Sequence, residues 1–481
     1  MNLREKGPPH SMYVKKTVLC LIGVSVQTAI AVSRPNVVTA MTDELGAESA
    51  GGKVEESEPV LSFLNLKFGM FIHYGMSTYQ GHGGWAEWNV DPKTFIPSEL
   101  DCEQWAEAAK SAKMNYAVFT TKHHDGFCLW DSAVTEYDIA SSDYKDDIVK
   151  KYADAFRKRG MKVGLYFSVW DRQHKIEAGR ITPAKIQYTK DQLTELLTNY
   201  GDVLCIVIDG WGSKWGKSPT FEELPYDVLA DHIHSIQPDC LVINHSCKTD
   251  LSVTQVVHYE ATHGQHCPFD NSIPSQQGPT LQPKWFWRPG DEEGPLKPTE
   301  EVVDELNFAN ARTCNYLLNA APNDRGVLDD AVIKRLAEIG QAVQLSAPLK
   351  SLPEMHPVHQ GITATASSIS GPDYAAQNVL DADLFTRWQF AKDDQERWVE
   401  LDFGKPMTFN RVVCGEYRRG TEAYKIEALV NGEWKLLVKR QESIGNNVNA
   451  TFADVTAQKY RLTILKASRP PMIAELTFIT Y

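Results

Sequence analysis

Two carboxylates and a set of histidines have the types and spacing to do chemistry. Asp209 ends the apolar run Val203-Leu204-Cys205-Ile206-Val207-Ile208 and is followed by Gly210. An apolar run without alternation reads as a strand buried on both faces, as in a parallel sheet, and its chemistry sits where it leaves the sheet. Glu260 ends a second strand-like segment, 51 positions further on. Two carboxyl groups facing a bond between sugars can divide the labour of hydrolysis. One attacks the anomeric carbon while the other protonates the leaving oxygen, and a retaining reaction sets them about 5–5.5 Å apart. Plainer readings stand beside this one: Asp-Gly is an ordinary turn pair, and Glu260 also reads as a surface glutamate.

His123-His124-Asp125 invites a metal reading. Neighbours on a strand point to opposite faces, so two adjacent histidines do not naturally share an ion, and hydrogen bonding to substrate hydroxyls is preferred. No Gly-x-Ser-x-Gly marks a serine hydrolase. Gly81-His82-Gly83-Gly84 lacks the Lys-Ser/Thr ending of a phosphate loop. It reads as a flexible rim carrying Trp85, Glu87 and Trp88.

Eight strand-like segments must position these groups: 68–74, 116–121, 162–168, 203–209, 240–245, 256–261, 284–287 and 315–320. Helical patterns separate most of them, at 102–113, 147–159, 190–200, 226–236, 299–312 and 329–343. Asp101 is placed as an N-cap, and Gly160 and Gly201 stand where C-caps belong. The alternation predicts a (β/α)8 barrel over 58–345, with a doubly wound open sheet as the alternative. The sixth unit is imperfect, since 262–283 holds no convincing helix and reads as a long functional loop. Barrels place their sites at strand C-termini. Those ends carry His73, His123-His124-Asp125, Tyr166, Asp209, Asn244-His245, Glu260, Trp287 and Asn319.

Pro348, Pro353 and Pro357 mark a linker over 346–360. Beyond it, 361–481 is β-rich, with a hairpin signal at Asn431-Gly432, and reads as a β-sandwich. At the other end, Lys15-Lys16 precede an apolar run from Thr17 to Val32, with Ala29-Ile30-Ala31 or Val38-Thr39-Ala40 as cleavage sites. Residues 1–40 therefore read as a signal peptide for export, without a membrane span in the mature chain, and 41–57 as a linker. A net charge of −13 argues against nucleic acid as a partner. Nine irregularly spaced cysteines fit neither a disulfide framework nor a zinc site.

Taken together, Phe68-Gly-Met-Phe-Ile-His73-Tyr-Gly75, Lys122-His-His-Asp-Gly-Phe127 with Trp130, Gly164-Leu-Tyr166-Phe-Ser168 and Ile208-Asp209-Gly210 resemble the α-L-fucosidases of glycoside hydrolase family 29. The resemblance covers roughly 60–345. It implies an exo-acting, retaining double displacement on fucosylated oligosaccharides, with no cofactor or metal in the active site. Asp209 would be the nucleophile and Glu260 the acid/base. His73, His123, His124 and Tyr166 would bind the fucose hydroxyls, joined by Glu87 and Trp88. Glu260 with Trp285-Phe-Trp287-Arg-Pro resembles the branch acting on α-1,3/1,4-linked fucose, with Trp287 against the apolar sugar face. Tyr74 stands where the family usually has Trp, and the fucose-binding Arg of some members has no clear equivalent near Asn244-His245.

Thr365-Ala-Ser-Ser368, Asn378-Val-Leu-Asp381, Thr386-Arg-Trp388 and Trp398-Val-Glu-Leu-Asp-Phe-Gly404 resemble a discoidin-like (coagulation-factor type C) domain, similar to carbohydrate-binding modules of family 32. Such domains imply a structural Ca²⁺ near Asp381, Thr386 and Glu475. Two rival functions remain: a non-catalytic glycan-binding protein on a degenerate barrel, and a metal-dependent hydrolase using the histidine pair.

Overall fold

The computed structural model describes residues 52–481, apart from 214, 215, 247, 248, 250, 357, 382, 384, 385, 446, 447 and 481. The signal-peptide reading and residues 41–51 of the expected linker lie outside them. The rest of that linker is helical: α1 runs over Gly52–Leu64.

Eight parallel strands follow: β1 (Phe68–Ile72), β2 (Tyr116–Lys122), β3 (Lys162–Ser168), β4 (Cys205–Asp209), β5 (Leu241–Asn244), β6 (Val257–Tyr259), β7 (Ser275–Gln277) and β8 (Cys314–Asn319). They pair in the order β5-β4-β3-β2-β1-β8-β7-β6. At the β5–β6 seam side chains do part of the stitching. Gln255 N donates to Val242 O (3.1 Å), Val242 N donates to Gln255 Oε1 (2.8 Å), and Asn244 N donates to Thr254 Oγ1 (3.0 Å).

Alternation along each strand sorts the core. Phe71, Val118, Tyr166, Cys205, Val207, Ile243 and Leu317 fill the interior, closed from below by Val60, Phe63 and Leu64 of α1. Ile72, Phe119, Leu165, Ile206 and Ile208 belong to the outer layer. That layer packs on α2 (Met76–Gln80), α3 (Cys102–Ser111), α4 (Ile148–Lys158), α5 (Pro183–Asn199), α6 (Tyr226–Ile236), α7 (Thr299–Asn310) and α8 (Asp330–Ala342). Cys205 and Val207 point inward, so Asp209 is next on the interior line. The same phase carries Phe71 to His73, Ile243 to His245, and His258 to Glu260.

The seventh strand departs from expectation. Lys284–Trp287 is not a strand; β7 lies in the segment read as a loop. Its polar sequence hid it, because its burial rests on hydrogen bonds rather than apolar area. Gln276 Nε2 meets His258 Nδ1 at 2.9 Å, and Gln277 Oε1 accepts from Cys267 N at 2.7 Å.

The C-terminal domain is an antiparallel sheet of β9 (Thr363–Ala366), β10 (Trp398–Glu416), β11 (Thr421–Val430), β12 (Glu433–Arg440), β13 (Val448–Ala467) and β14 (Ile473–Ile479), in the order β12-β11-β13-β10-β14 with β9 on β10. The long strand β10 breaks its register against β13 between Asp402 and Met407. Asn431 (φ 52) and Gly432 (φ 83) are both left-handed, as a two-residue hairpin requires. Trp388 is core: its ring is buried and its Nε1 donates to Ser368 O. Phe269, on the loop between β6 and β7, docks this domain by packing on Phe403 and Phe409.

Candidate active site

A cavity of about 710 Å³ opens at the strand C-termini, and His73, His123, His124, Asp209, His245 and Glu260 all line it. Asp209 reaches it because Gly210 (φ +62) turns the chain sharply against Trp170, where an added Cβ would come within 2.5 Å of the Trp170 Cβ. Tyr166 Oη donates to Asp209 Oδ2 at 2.6 Å, and Gly210 N donates to Oδ1 at 2.5 Å. His124 Nε2 and His245 Nδ1 each stand 3.5 Å from Oδ2. Burial pushes the carboxyl up, but the His245 imidazole and the Tyr166 bond outweigh it and hold Asp209 far below its usual range. It is therefore an ionised carboxylate at any working pH.

Two histidines present acceptors to the cavity. Asn319 Nδ2 donates to Trp285 O (2.9 Å), which leaves Asn319 Oδ1 to accept from His73 Nδ1 at 2.7 Å. Ser168 Oγ donates to Trp170 O (2.7 Å) and so accepts from His124 Nδ1 at 2.7 Å. Burial lowers both rings, His73 to about 3 and His124 to about 4. Both are neutral, with the proton assigned to Nδ1 by these partners, and Nε2 is left to accept from a sugar hydroxyl.

The Lys122–Phe127 motif is largely scaffold around this pair. Strand β2 ends at Lys122, so His123 and His124 lie beyond the alternation and both face the cavity, ring centroids 4.1 Å apart. The expectation that adjacent histidines would diverge fails for that reason. With Asp209 they bring ligand atoms within 4.8 Å of one another, while His124 Nδ1 bonds Ser168 and Asp209 Oδ2 accepts from Tyr166. Asp125 Oδ1 accepts from Phe127 N, closing the turn. Lys122 is fully buried against Asp171 (3.2 Å) and Gln192 (2.8 Å), under the Phe167 ring. Lys122→Ala removes the fully buried cation beside Asp171, leaving it with His174, and is expected to cost about 3–5 kcal/mol in a denaturant titration.

Glu260 Oε1 lies 2.7 Å from His263 Nδ1. Burial raises the carboxyl, but His263 and His245 outweigh it and hold Glu260 at about 2. Reciprocally, burial lowers His263 while Glu260 raises it above the ordinary 6.5. The pair thus keeps one shared proton at neutral pH. In His263→Asn that proton has only the carboxyl to hold it. The alkaline limb of the kcat/KM pH profile is then expected to move to lower pH, and an unmoved limb would show that His263 does not share the proton.

Four expected residues sit differently. Tyr166 lies behind Asp209, bonded to it. Glu87 and Trp88 stay on the rim outside the cavity lining, Trp88 48% exposed, whereas Trp85 of the same loop does line it. Trp287 turns away, donating Nε1 to Asp329 Oδ2 at 2.9 Å. Trp285 and Phe286 supply the aromatic wall instead, their ring centroids 4.8 and 5.2 Å from His73. Tyr74 packs outside the barrel interior against Phe95 and Trp105. The sequence reading left His245 without a role, although its strand-end position was a signal. It missed His263, which sits in a short 3-10 turn (Ala261–His263) with no pattern to mark it.

In the C-terminal domain, Glu475 is buried, and its Oε1 has no hydrogen-bond partner among the described residues. Burial, with the Asp381 and Asp383 charges, pushes Glu475 well above the carboxylate range. Thr386 Oγ1 donates to Asp381 Oδ2 at 2.6 Å. No helix among the described residues is long and apolar enough to cross a membrane.

Comparison with known proteins agrees with this geometry. The alpha-L-fucosidase family profile matches residues 53–347, and the F5/8 type C domain profile matches 363–476. "Alpha-L-fucosidase 1" of Arabidopsis thaliana is 27% identical over 442 residues, covering 85% of this chain and 84% of that protein. A glycoside hydrolase 29 family member from an unknown rumen bacterium superimposes with a TM-score of 0.53 at 26% identity, over 88% of this chain and 77% of that one. The alpha-L-fucosidase isoenzyme 1 of Paenibacillus thiaminolyticus, at 22% identity, shares the fold with a TM-score of 0.53 over 85% and 99%. A profile that spans the whole barrel and takes in both carboxylates places this chain in the alpha-L-fucosidase family of glycoside hydrolases.

Proposed function

We propose that the protein is an exo-acting, retaining alpha-L-fucosidase that removes α-1,3/1,4-linked fucose from branched glycans. The observation that carries this reading is Asp209, ionised and held by Tyr166 and Gly210, in one cavity with the proton-sharing Glu260–His263 pair. Fucose would sit on the packed barrel interior, its hydroxyls donating to His73 and His124 Nε2. Asp209 attacks the anomeric carbon as the glycosidic bond breaks, and Glu260 delivers the pair's proton to the leaving oxygen. Glu260, now a base, takes a proton from water, which displaces Asp209 and releases fucose with its configuration kept. Proton NMR of the first product tests retention: α-L-fucose is expected, and β-L-fucose would overturn it. Turnover of α-1,3- and α-1,4-linked trisaccharides should exceed that of α-1,2-linked ones; the reverse order removes the linkage assignment. Binding of an aryl fucoside without release would favour the glycan-binding alternative.

Asp381, Asp383, Thr386 and Glu475 fit a structural Ca²⁺, whose charge would offset the crowding of three carboxyls around a buried, unbonded oxygen. Exhaustive chelation is expected to lower the thermal transition by a few degrees, reversed by Ca²⁺. It should leave fucose release from an aryl fucoside at 25 °C unchanged; lost activity would support the metal-dependent alternative. We also propose export, carried by Lys15-Lys16 and the apolar run behind them; recovery of a mature chain from outside the cytoplasm, starting after residue 31 or 40, tests it.

A further inference from the structure

The cavity has a second wall that the barrel does not build. Arg419, Ser443, Ile444 and Gly445 of the C-terminal domain line it together with Asp209 and Glu260. The wall is a fixed one. Glu416, buried at the end of β10, accepts at Oε1 from Gly420 N (2.8 Å), Thr421 N (2.9 Å) and Thr421 Oγ1 (3.2 Å). Its Oε2 accepts from Ser443 Oγ (3.4 Å), and its own N–H donates to Gly445 O (2.7 Å), which ties both wall segments to one residue. Arg469 Nε and Nη2 donate to Arg419 O (2.9 and 2.5 Å), pinning the tip of the turn. The Arg419 side chain is exposed, and no ion pair among the described residues engages its guanidinium. A rigid turn thus holds an always-charged, five-donor fork at the mouth of a sugar-sized pocket.

The direction of the leaving group says what the fork meets. Glu260 must reach the leaving oxygen, so the sugar that carried the fucose lies on Glu260's side. Glu260 lines the same cavity as Arg419 and Ser443–Gly445. At about 710 Å³ the cavity lies in the upper part of the roughly 300–1,000 Å³ range of small-molecule pockets, room for more than a terminal monosaccharide.

We propose that Arg419, with Ser443–Gly445, forms the subsite for the sugar to which fucose is attached. The guanidinium hydrogen-bonds that sugar's hydroxyls, and Glu416 is a positioning residue for the turn. The inference rests on the fucosidase reading above. The test compares kcat/KM on a fucosylated trisaccharide with that on an aryl α-L-fucoside, using the full chain. In Arg419→Ala the ratio of trisaccharide to aryl fucoside is expected to fall at least tenfold, mainly through KM, with Arg419→Lys intermediate. Glu416→Ala should lower the same ratio and Glu416→Gln restore most of it, because the amide oxygen still accepts from Gly420 and Thr421. A ratio within twofold of wild type in Arg419→Ala, or an equal loss on both substrates, overturns the subsite while leaving the fucosidase reading intact. Wild-type protein that releases fucose from neither substrate overturns both.

Discussion

Asp209→Asn is expected to abolish fucose release, lowering kcat/KM by about 10⁴- to 10⁶-fold, the range seen when one member of a nucleophilic machinery is removed. The amide oxygen can still accept from Tyr166 Oη or Gly210 N, so the thermal transition should stay within a few degrees of wild type while turnover disappears. Asp209→Gly opens room at the same place. Azide could then attack the anomeric carbon directly from the vacated side, giving β-L-fucosyl azide from an activated α-fucoside. Retained hydrolysis in either variant would remove Asp209 from the chemistry and leave it as the turn residue that the Asp-Gly pair alone would suggest.

Glu260→Ala should behave differently, and the difference identifies its role. A glycan's leaving alkoxide needs a proton, so its turnover is expected to fall by about 10²- to 10⁴-fold. An aryl fucoside with a good leaving group needs little help in the first step, and its loss should be smaller, with a burst as the fucosyl-enzyme accumulates. Azide, which needs no general base, should speed the second step and give α-L-fucosyl azide, the anomer opposite to that from Asp209→Gly. Equal losses on both substrates would instead point to substrate binding. His245, raised by Asp209 and Glu260 against the pull of burial, stays beside the remaining carboxylate in each variant and keeps it from standing as a lone buried charge.

The barrel was legible because strands buried on both faces read as apolar runs, and the period-two phase of those runs aims His73, Asp209, His245 and Glu260 into one mouth. Where burial is bought with hydrogen bonds the pattern vanishes, which is why Ser275-Gln276-Gln277 passed for loop. The converse error came at Lys284–Trp287, whose apolar residues resemble a strand but serve the cavity wall. Trp287 and Trp285 differ by two positions and are equally aromatic; only the fold shows that the first bonds Asp329 and the second faces His73. Glu87 and Trp88 were placed on the rim correctly but not in the cavity, because a Gly-rich loop leaves side-chain direction undetermined. His263 and Arg419 gave no local signal at all. Their positions depend on a 3-10 turn and on the docking of a separate domain through Phe269.

The covalent intermediate on Asp209 is the most direct point of test. A 2-deoxy-2-fluoro-α-L-fucosyl donor with an activated leaving group slows the second displacement, since fluorine disfavours the oxocarbenium-like transition state, and so lets the intermediate accumulate. Peptide mapping by mass spectrometry is expected to find the fluorofucosyl mass on the peptide that contains Asp209, with loss of activity in step with labelling. A label on Glu260, or inactivation without a covalent adduct, would contradict the double displacement proposed for this cavity.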